Sequence, residues 1–502
     1  MNYRLSKVDR QMAFAFVIGL AIRLCAIPFS MTDEADAVTR IFITLDWMEK
    51  PELITSGVWG PLHTYLIAGV LHLWNNPIYA PVVLNSLFSA ATAIPLYLFV
   101  RREWSETAGL FVACIYLVYP VAIRYGLVAL SDIPFIFFIA LTLLLLSYAR
   151  DEHGSWKYAL FAGLAITIAG SLRYEAWGLT PFMGLPLLKK WKSLPVFFGA
   201  ALIFPVFWMA GNYQQFGDPL YSFHWALNWN INIGGLNEGL TTLDILNRAT
   251  YFPRVLFFGL TPLVFAVCLI GILLVIYKRR KQWVWLIPLF VLFFTFTINA
   301  INGNLTTQVR YSLSLAIFMI PFAAEWFENL RIPRQKIVLS ILIVGSILPL
   351  SYLRSAIPWP FDFPNPIPRK ISAIPRVDQQ VEKISKFEIE QAQIYPEGLL
   401  LDFVDWGDTY YVALMARKPP ASIFIMPGEV HEEYDISMLR EFLNLNPTGL
   451  VLLTTEPRYM QIQQTSNGDQ LIFSGFDQSL FIREIGKVGT ITCYRYSNMQ
   501  LY

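Results

Sequence analysis

Apolar runs recur through the first 355 residues of this 502-residue chain, and they constrain its fold more than any other feature. They lie at 11–30, 78–100, 107–123, 131–149, 157–172, 176–188, 194–212, 254–277, 283–299, 310–328 and 336–355. A run of about 20 apolar residues crosses the hydrocarbon core as a helix, because a helix satisfies every peptide N–H and C=O within the segment. Several runs are shorter, which implies tilt or shielding by neighbouring helices. With 55% hydrophobic and only 15% charged residues, against about a quarter charged in ordinary soluble domains, the chain reads as a polytopic α-helical membrane protein. "MNYRLSKVDR" is basic and precedes the first run without an evident small-residue cleavage site, so that run is read as an uncleaved span.

Charge sets the count and the orientation. The segment "PLHTYLIAGVLHLW" (61–74), with His63 and His72, reads either as a span or as a helix in the interface. If it lies on the surface, "RLSKVDR", "RREWSE", "RDEHGSWK", "KKWK", "KRRKQ" and "RIPRQK" all fall on one side of the membrane, as the positive-inside rule requires. This gives about eleven spans, a cytoplasmic N-terminus and an extracytoplasmic C-terminus. Beyond about residue 357, "IPWPFDFPNPIPRKISAIP" is a proline-rich connector, and no later run is long enough to cross. "GLLLDFV", "ASIFIM", "GLVLLTT", "SLFIREI" and "TITCYRY" read as strands, with "DTYYVALMAR" and "ISMLREFLNLN" as amphipathic helices. The expected organisation is a membrane domain over 1–356, with an outer loop at 31–77 and a lid-like loop at 213–253, followed by an extracytoplasmic α/β domain over 357–502.

In that orientation, isolated polar residues that are costly near hydrocarbon collect on one face. Asp33, Glu34 and Asp36 in "MTDEADAVTR" follow the first span: either they accept a proton from an acceptor hydroxyl, or they favour the N-terminus of the next helix. In "LVALSDIPFIFF", Ser131 reads as an N-cap with Asp132 and Pro134 in the first turn; alternatively Asp132 shares a polar substrate with Asp33. Arg173 and Glu175 in "SLRYEAW" either pair with each other or turn a guanidinium toward a phosphate. Arg310 in "TTQVRYSLSL" either snorkels to the interface or faces a cavity that Tyr311 also lines. Arg124 is a further candidate. The segment 212–244, aromatic and broken by Gly-Gly, reads as a lid or re-entrant loop.

Nucleotide-binding glycine loops, HExxH and a nucleophile elbow are not found in the sequence. Cys25, Cys114, Cys268 and Cys493 form no metal or redox spacing. No cofactor or nucleic-acid partner is expected, and a divalent metal is not indicated.

The ordered set "TDEA", "GPLHTYL", "SDIPF", "LRYEAW", "FGDPLYS" and "VRYSLSL…IPF" resembles the GT-C glycosyltransferases that use polyprenyl-phosphate sugars, a group including protein O-mannosyltransferases and aminoarabinose transferases of lipid A. The resemblance covers roughly 1–330. It implies that Asp33 is the catalytic carboxylate, with Glu34 and Asp132 supporting an acidic pocket. Arg173 and Arg310 would hold the lipid-phosphate leaving group, and His63 would lie near the site. Where many subfamilies carry Pro-Pro, this chain has "GPLH". The implied reaction is inverting transfer of a sugar from a polyprenyl phosphate to a protein, lipid or glycan acceptor at the outer face. The main rival is a transporter or flippase, which predicts ionisable residues spread through the bilayer midplane.

Overall fold

The computed structural model describes residues 6–32, 34–151, 155–233, 241–331, 333–353, 374–394, 397–402, 406–426, 436–454, 462–465, 468–473 and 479–498. The chain forms two compact units. The first comprises Met1–Pro28, Leu53–Leu66 and Val82–Ile374; the second comprises Phe29–Glu52, Ile67–Pro81 and Pro375–Tyr502.

Among the described residues of the first unit, the regular secondary structure is all helical. The opening helix, Lys7–Ala26, starts at a capping box in which the Asp9 amide donates to Ser6 Oγ and the Ser6 amide donates to Asp9. Arg23, fully buried in that helix, donates to Ser89 Oγ at 2.8 Å and to the carbonyls of Gly19 and Leu117 at 2.9 and 3.0 Å. These bonds tie the helix to its neighbours and offset the burial of the guanidinium.

Among the described residues, five helical segments are long and apolar enough to cross a membrane, and up to seven if each of two bent pairs counts as one. Thr242–Leu260 and Pro262–Tyr277 meet at 113°. The run at 254–277, continuous in sequence, therefore contains a break. Thr261 lies there at φ +74°, and Pro262 restarts the helix without needing an N–H partner. Glu106–Leu117 and Pro120–Gly126 bend by 57° at a second proline. The segment read as span or interface helix is a helix over Leu62–Leu73, about 18 Å long and short of a full crossing.

Helix Asp132–Arg150 organises the charges of this unit. Arg150 at its end forms two hydrogen bonds of 2.7 Å with Glu103, while Asp132 at its start pairs with Arg173. These two ion pairs are separated along one helix by about 27 Å, close to the thickness of a hydrocarbon core.

The second unit is an α/β body. Its strands are β1 (Gly398–Asp402), β2 (Ile423–Ile425), β3 (Thr448–Thr454), β4 (Ile462–Gln464), β5 (Gln470–Phe473), β6 (Ser479–Val488) and β7 (Ile491–Ser497). They form one mixed sheet in the order β2-β1-β3-β7-β6-β5-β4. β1 is parallel to β2 and β3, and every other pair is antiparallel. Leu399, Leu401, Leu450 and Leu452 face a core with Val381, Ile384, Tyr411 and Val412. Leu400 and Val451 face the opposite core with Leu439, Phe442 and Leu443. That alternation is the period-two pattern of strands covered by helices on both faces. Helix Ala35–Glu49 also belongs to this unit and packs on helix Trp406–Ala416, with Phe42 and Tyr410 rings 5.7 Å apart.

Candidate active site

Helix Trp156–Gly170 ends at a glycine, and the turn that follows presents Arg173 before helix Glu175–Met183 begins. Arg173 Nη1 donates to Asp132 Oδ1 at 2.7 Å, while Nε and Nη2 both donate to Glu175 Oε1 at 3.0 and 2.5 Å. The guanidinium fork therefore spends three donors on two carboxylates. The three side chains are 13%, 3% and 19% exposed for Arg173, Asp132 and Glu175. Burial alone would draw the Arg173 guanidinium down, but Asp132 and Glu175 outweigh it and hold it above its ordinary value. Asp132 Oδ2 is buried and has no hydrogen-bond partner among the described residues. Ser131 precedes the helix but its side chain makes no cap hydrogen bond. Asp132 is thus oriented by Arg173 rather than by a Ser131 cap.

Arg310 and Tyr311 come to the same place from the start of helix Tyr311–Met319. The Tyr311 ring lies 5.3 Å from the Arg173 guanidinium and 5.8 Å from that of Arg310, and both Arg310 and Tyr311 are buried. Two cations thus flank one aromatic ring in a water-poor environment, where electrostatic interactions are stronger than in bulk water. The structure brings together Asp132, Arg173, Glu175, Arg310 and Tyr311.

His63 is fully buried near the start of Leu62–Leu73 in the first unit. Arg124 lies on the short helix Pro120–Gly126. Glu34 and Asp36 belong to the second unit. Glu34 precedes helix Ala35–Glu49 without a side-chain cap bond, and Asp36 sits in its first turn, where a carboxylate opposes the helix dipole favourably. Asp33 lies outside the described residues. Among the described residues, no three His, Cys, Asp or Glu side chains come together as metal ligands.

The support beneath the cluster has a role that no local sequence pattern reveals. Tyr174 Oη donates to the Val58 carbonyl at 2.7 Å. A Cβ on Gly60 would meet the Ser171 carbonyl oxygen at 2.2 Å, and one on Gly211 would meet that of Thr55 at 1.9 Å. The stretch at 53–60 is therefore pressed between the Arg173 turn and helix Ile203–Phe216, at separations that only glycine allows. Gly60→Ala is expected to cost about 1–3 kcal/mol through overpacking, seen as a lower unfolding temperature in detergent. An unchanged unfolding temperature would mean that the turn yields freely.

Residues 58–209 match the family model described as dolichyl-phosphate-mannose-protein mannosyltransferase. That stretch contains His63, Asp132, Arg173 and Glu175. No curated protein matches the chain. The fold is similar to that of ArnT from Cupriavidus metallidurans in the apo state, with TM-score 0.66 at 10% identity, covering 98% of this chain and 99% of that one. ArnT bound to undecaprenyl phosphate gives TM-score 0.63 at 10% identity, covering 97% of this chain and 98% of that one. The apo oligosaccharyltransferase from Archaeoglobus fulgidus gives TM-score 0.52 at 12% identity, covering 89% of this chain and 70% of that one. At such identities the likeness is one of fold. The chain is a multi-pass membrane protein with the GT-C glycosyltransferase fold and a C-terminal sheet domain.

Proposed function

We propose that the protein is an inverting glycosyltransferase that moves a sugar from a polyprenyl phosphate to an acceptor hydroxyl at the outer face of the membrane. The observation that carries this reading is the Asp132–Arg173–Glu175 cluster, with Asp132 buried and its partners mostly so, and Arg310 and Tyr311 beside it, in a GT-C fold. The family match over 58–209 and the undecaprenyl phosphate held by ArnT support the donor class proposed here. The topology that suits it has about eleven spans, a cytoplasmic N-terminus and an extracytoplasmic C-terminal domain.

In this scheme the acceptor oxygen attacks the anomeric carbon as the bond to the phosphate oxygen breaks. Polyprenyl phosphate leaves with the electron pair, and the single displacement inverts the centre. Asp33 takes the acceptor proton. Arg310 stabilises the charge growing on the phosphate, while Arg173 orders Asp132 and Glu175 and adds its positive charge to the pocket. His63, Glu34 and Asp36 are proposed from the sequence as further substrate-binding residues.

The deciding experiment measures release of polyprenyl phosphate from a panel of polyprenyl-phosphate sugars, with membrane extract as acceptor. Asp33→Asn is expected to lower transfer by roughly 10²–10⁴-fold, the usual contribution of a positioned base. Equal transfer by the folded variant and wild type would remove Asp33 from the mechanism.

A further inference from the structure

We infer that Asn230 is a positioning residue that fixes the Arg310–Tyr311 end of the site relative to the Arg173 turn; this rests on the function proposed above. The segment 221–233 touches both ends. At its start, the Phe223 ring lies 5.1 Å from Tyr174, the residue between Arg173 and Glu175. Ser222 Oγ there accepts from Trp208 Nε1 at 3.0 Å and from Asn212 Nδ2 at 3.1 Å, and donates to the Gly57 carbonyl. Because Tyr174 Oη donates to the neighbouring Val58 carbonyl, the start of the segment is stitched to the Arg173 turn through 57–58.

Its other end is a π-helical turn, Trp229–Ile233, a geometry that occurs mostly as short insertions at functional places. Asn230 lies in this turn. Its Nδ2 donates to the Ala226 carbonyl at 2.9 Å and to the Asn304 carbonyl at 3.1 Å, and its Oδ1 accepts from Thr306 Oγ1 at 2.7 Å. Both amide protons and the carbonyl oxygen are therefore engaged. Two of the three bonds reach the loop 302–309, which leaves helix Leu286–Ile301 through Gly303 at φ +72° and delivers Arg310 and Tyr311. A loop without secondary structure has little intrinsic hold on the residues it delivers. Asn230 pins this one at 304 and 306, and the Ser312 amide and Oγ bonds to the Val309 carbonyl finish it.

The proposed reaction needs the Arg310 guanidinium at a set place relative to the Arg173–Asp132–Glu175 cluster, since a misplacement of about 1 Å can cost two orders of magnitude in rate. Asn230 touches neither arginine; it sets where one of them stands. No other side chain reproduces its bonds: aspartate loses both donors, glutamine displaces the amide by one methylene, and alanine removes all three.

The test uses the purified full chain with undecaprenyl phosphate as probe, in wild type, Asn230→Ala, Thr306→Val, Thr306→Ser and the Asn230→Ala/Thr306→Val double variant. Asn230→Ala and Thr306→Val are each expected to weaken binding roughly five- to tenfold, the ratio expected from losing a hydrogen bond that holds the site. Thr306→Ser, which keeps the hydroxyl, should bind like wild type. The double variant should bind no more weakly than the weaker single variant, because both changes break the same link. Without ligand, amide hydrogen exchange should quicken at 302–312 in both weakened variants and stay unchanged at 175–183. Wild-type affinity in Asn230→Ala, or fully additive losses in the double variant, would overturn the inference. Binding that is absent in wild type, or insensitive to Arg310→Gln, would instead defeat the functional reading. Unchanged exchange at 302–312 in Asn230→Ala would then overturn the brace independently of any ligand.

Discussion

Arg173→Ala is expected to destabilise the membrane unit by about 3–5 kcal/mol, because it strands a buried charge. Asp132 is 3% exposed and Glu175 19% exposed, so neither carboxylate can recover full hydration when the guanidinium is gone. Arg173→Lys keeps the charge but replaces the planar fork with a point charge, and it should fall between wild type and alanine. The double change Asp132→Asn/Arg173→Gln should be milder than Arg173→Ala, since it removes both members of the pair and leaves neutral groups able to hydrogen-bond. The contrast is with Lys386 and Glu382, an i,i+4 pair on helix Gln379–Ile394 whose side chains are 68% and 38% exposed. Removing that pair should cost about 0.5 kcal/mol or less. Unfolding by denaturant in mixed micelles measures all four variants on one scale. Equal stability of Arg173→Ala and wild type would mean that water reaches the cluster freely, and the water-poor site would be lost with it.

The second large effect lies in the sheet domain and depends on pH. Glu388 is fully buried on helix Gln379–Ile394, and neither carboxylate oxygen has a hydrogen-bond partner among the described residues. Burial pushes its carboxyl up to about 7, against the opposing pull of Lys418. Lys418 is itself held below its usual range by burial, although Glu388, Glu397 and Cys493 pull it the other way, and its Nζ donates to the Glu397 carbonyl. Cys493, buried in the same region, is pushed up to about 12 and stays a thiol at neutral pH.

The folded state thus retains a proton on Glu388 that the unfolded chain releases near 4.5. Stability is undiminished below that value, falls as pH rises from 4.5 to 7, and levels off above 7. The full loss corresponds to about 3 kcal/mol. Lys418 works in the opposite sense at higher pH: with its folded value depressed, the domain gains stability as the lysine loses its proton, up to the unfolded value of 10.5. Glu388→Gln is expected to abolish the decline between pH 5 and pH 8 and to be the more stable protein at pH 8. Thermal unfolding of the full chain at both pH values, followed by a probe in the sheet domain, measures this. An unchanged decline in the variant would assign it to other groups.

Hydrophobic run length and strand alternation were legible without the structure, because both follow from local chemistry. Each of the eleven runs falls on helix within its described part, and the five strands read from the C-terminal sequence are all present. The misses are as informative. β4 and β5 have three and four residues, too few for a period to register, and they join the sheet through antiparallel partners. Helix Gln379–Ile394 buries Glu388 on its apolar side, which blurs the amphipathic pattern that would have revealed it.

The candidate site divides in the same way. Run length and charge alone make the chain a polytopic membrane protein with a sheet domain after it, and they single out Asp132, Arg173, Glu175, Arg310 and Tyr311 as polar residues at the margins of apolar runs. A charged residue beside hydrocarbon is conspicuous wherever it stands. It took the folded chain to show that these five meet, that Arg173 serves two carboxylates at once, and that Asp132 answers to Arg173 instead of a Ser131 cap. The supporting roles of Gly60, Tyr174, Ser222, Asn230 and Thr306 could not be read from the sequence, for one physical reason. Their roles are hydrogen bonds and close approaches between segments distant along the chain, and such contacts leave no local period, composition or charge pattern to read.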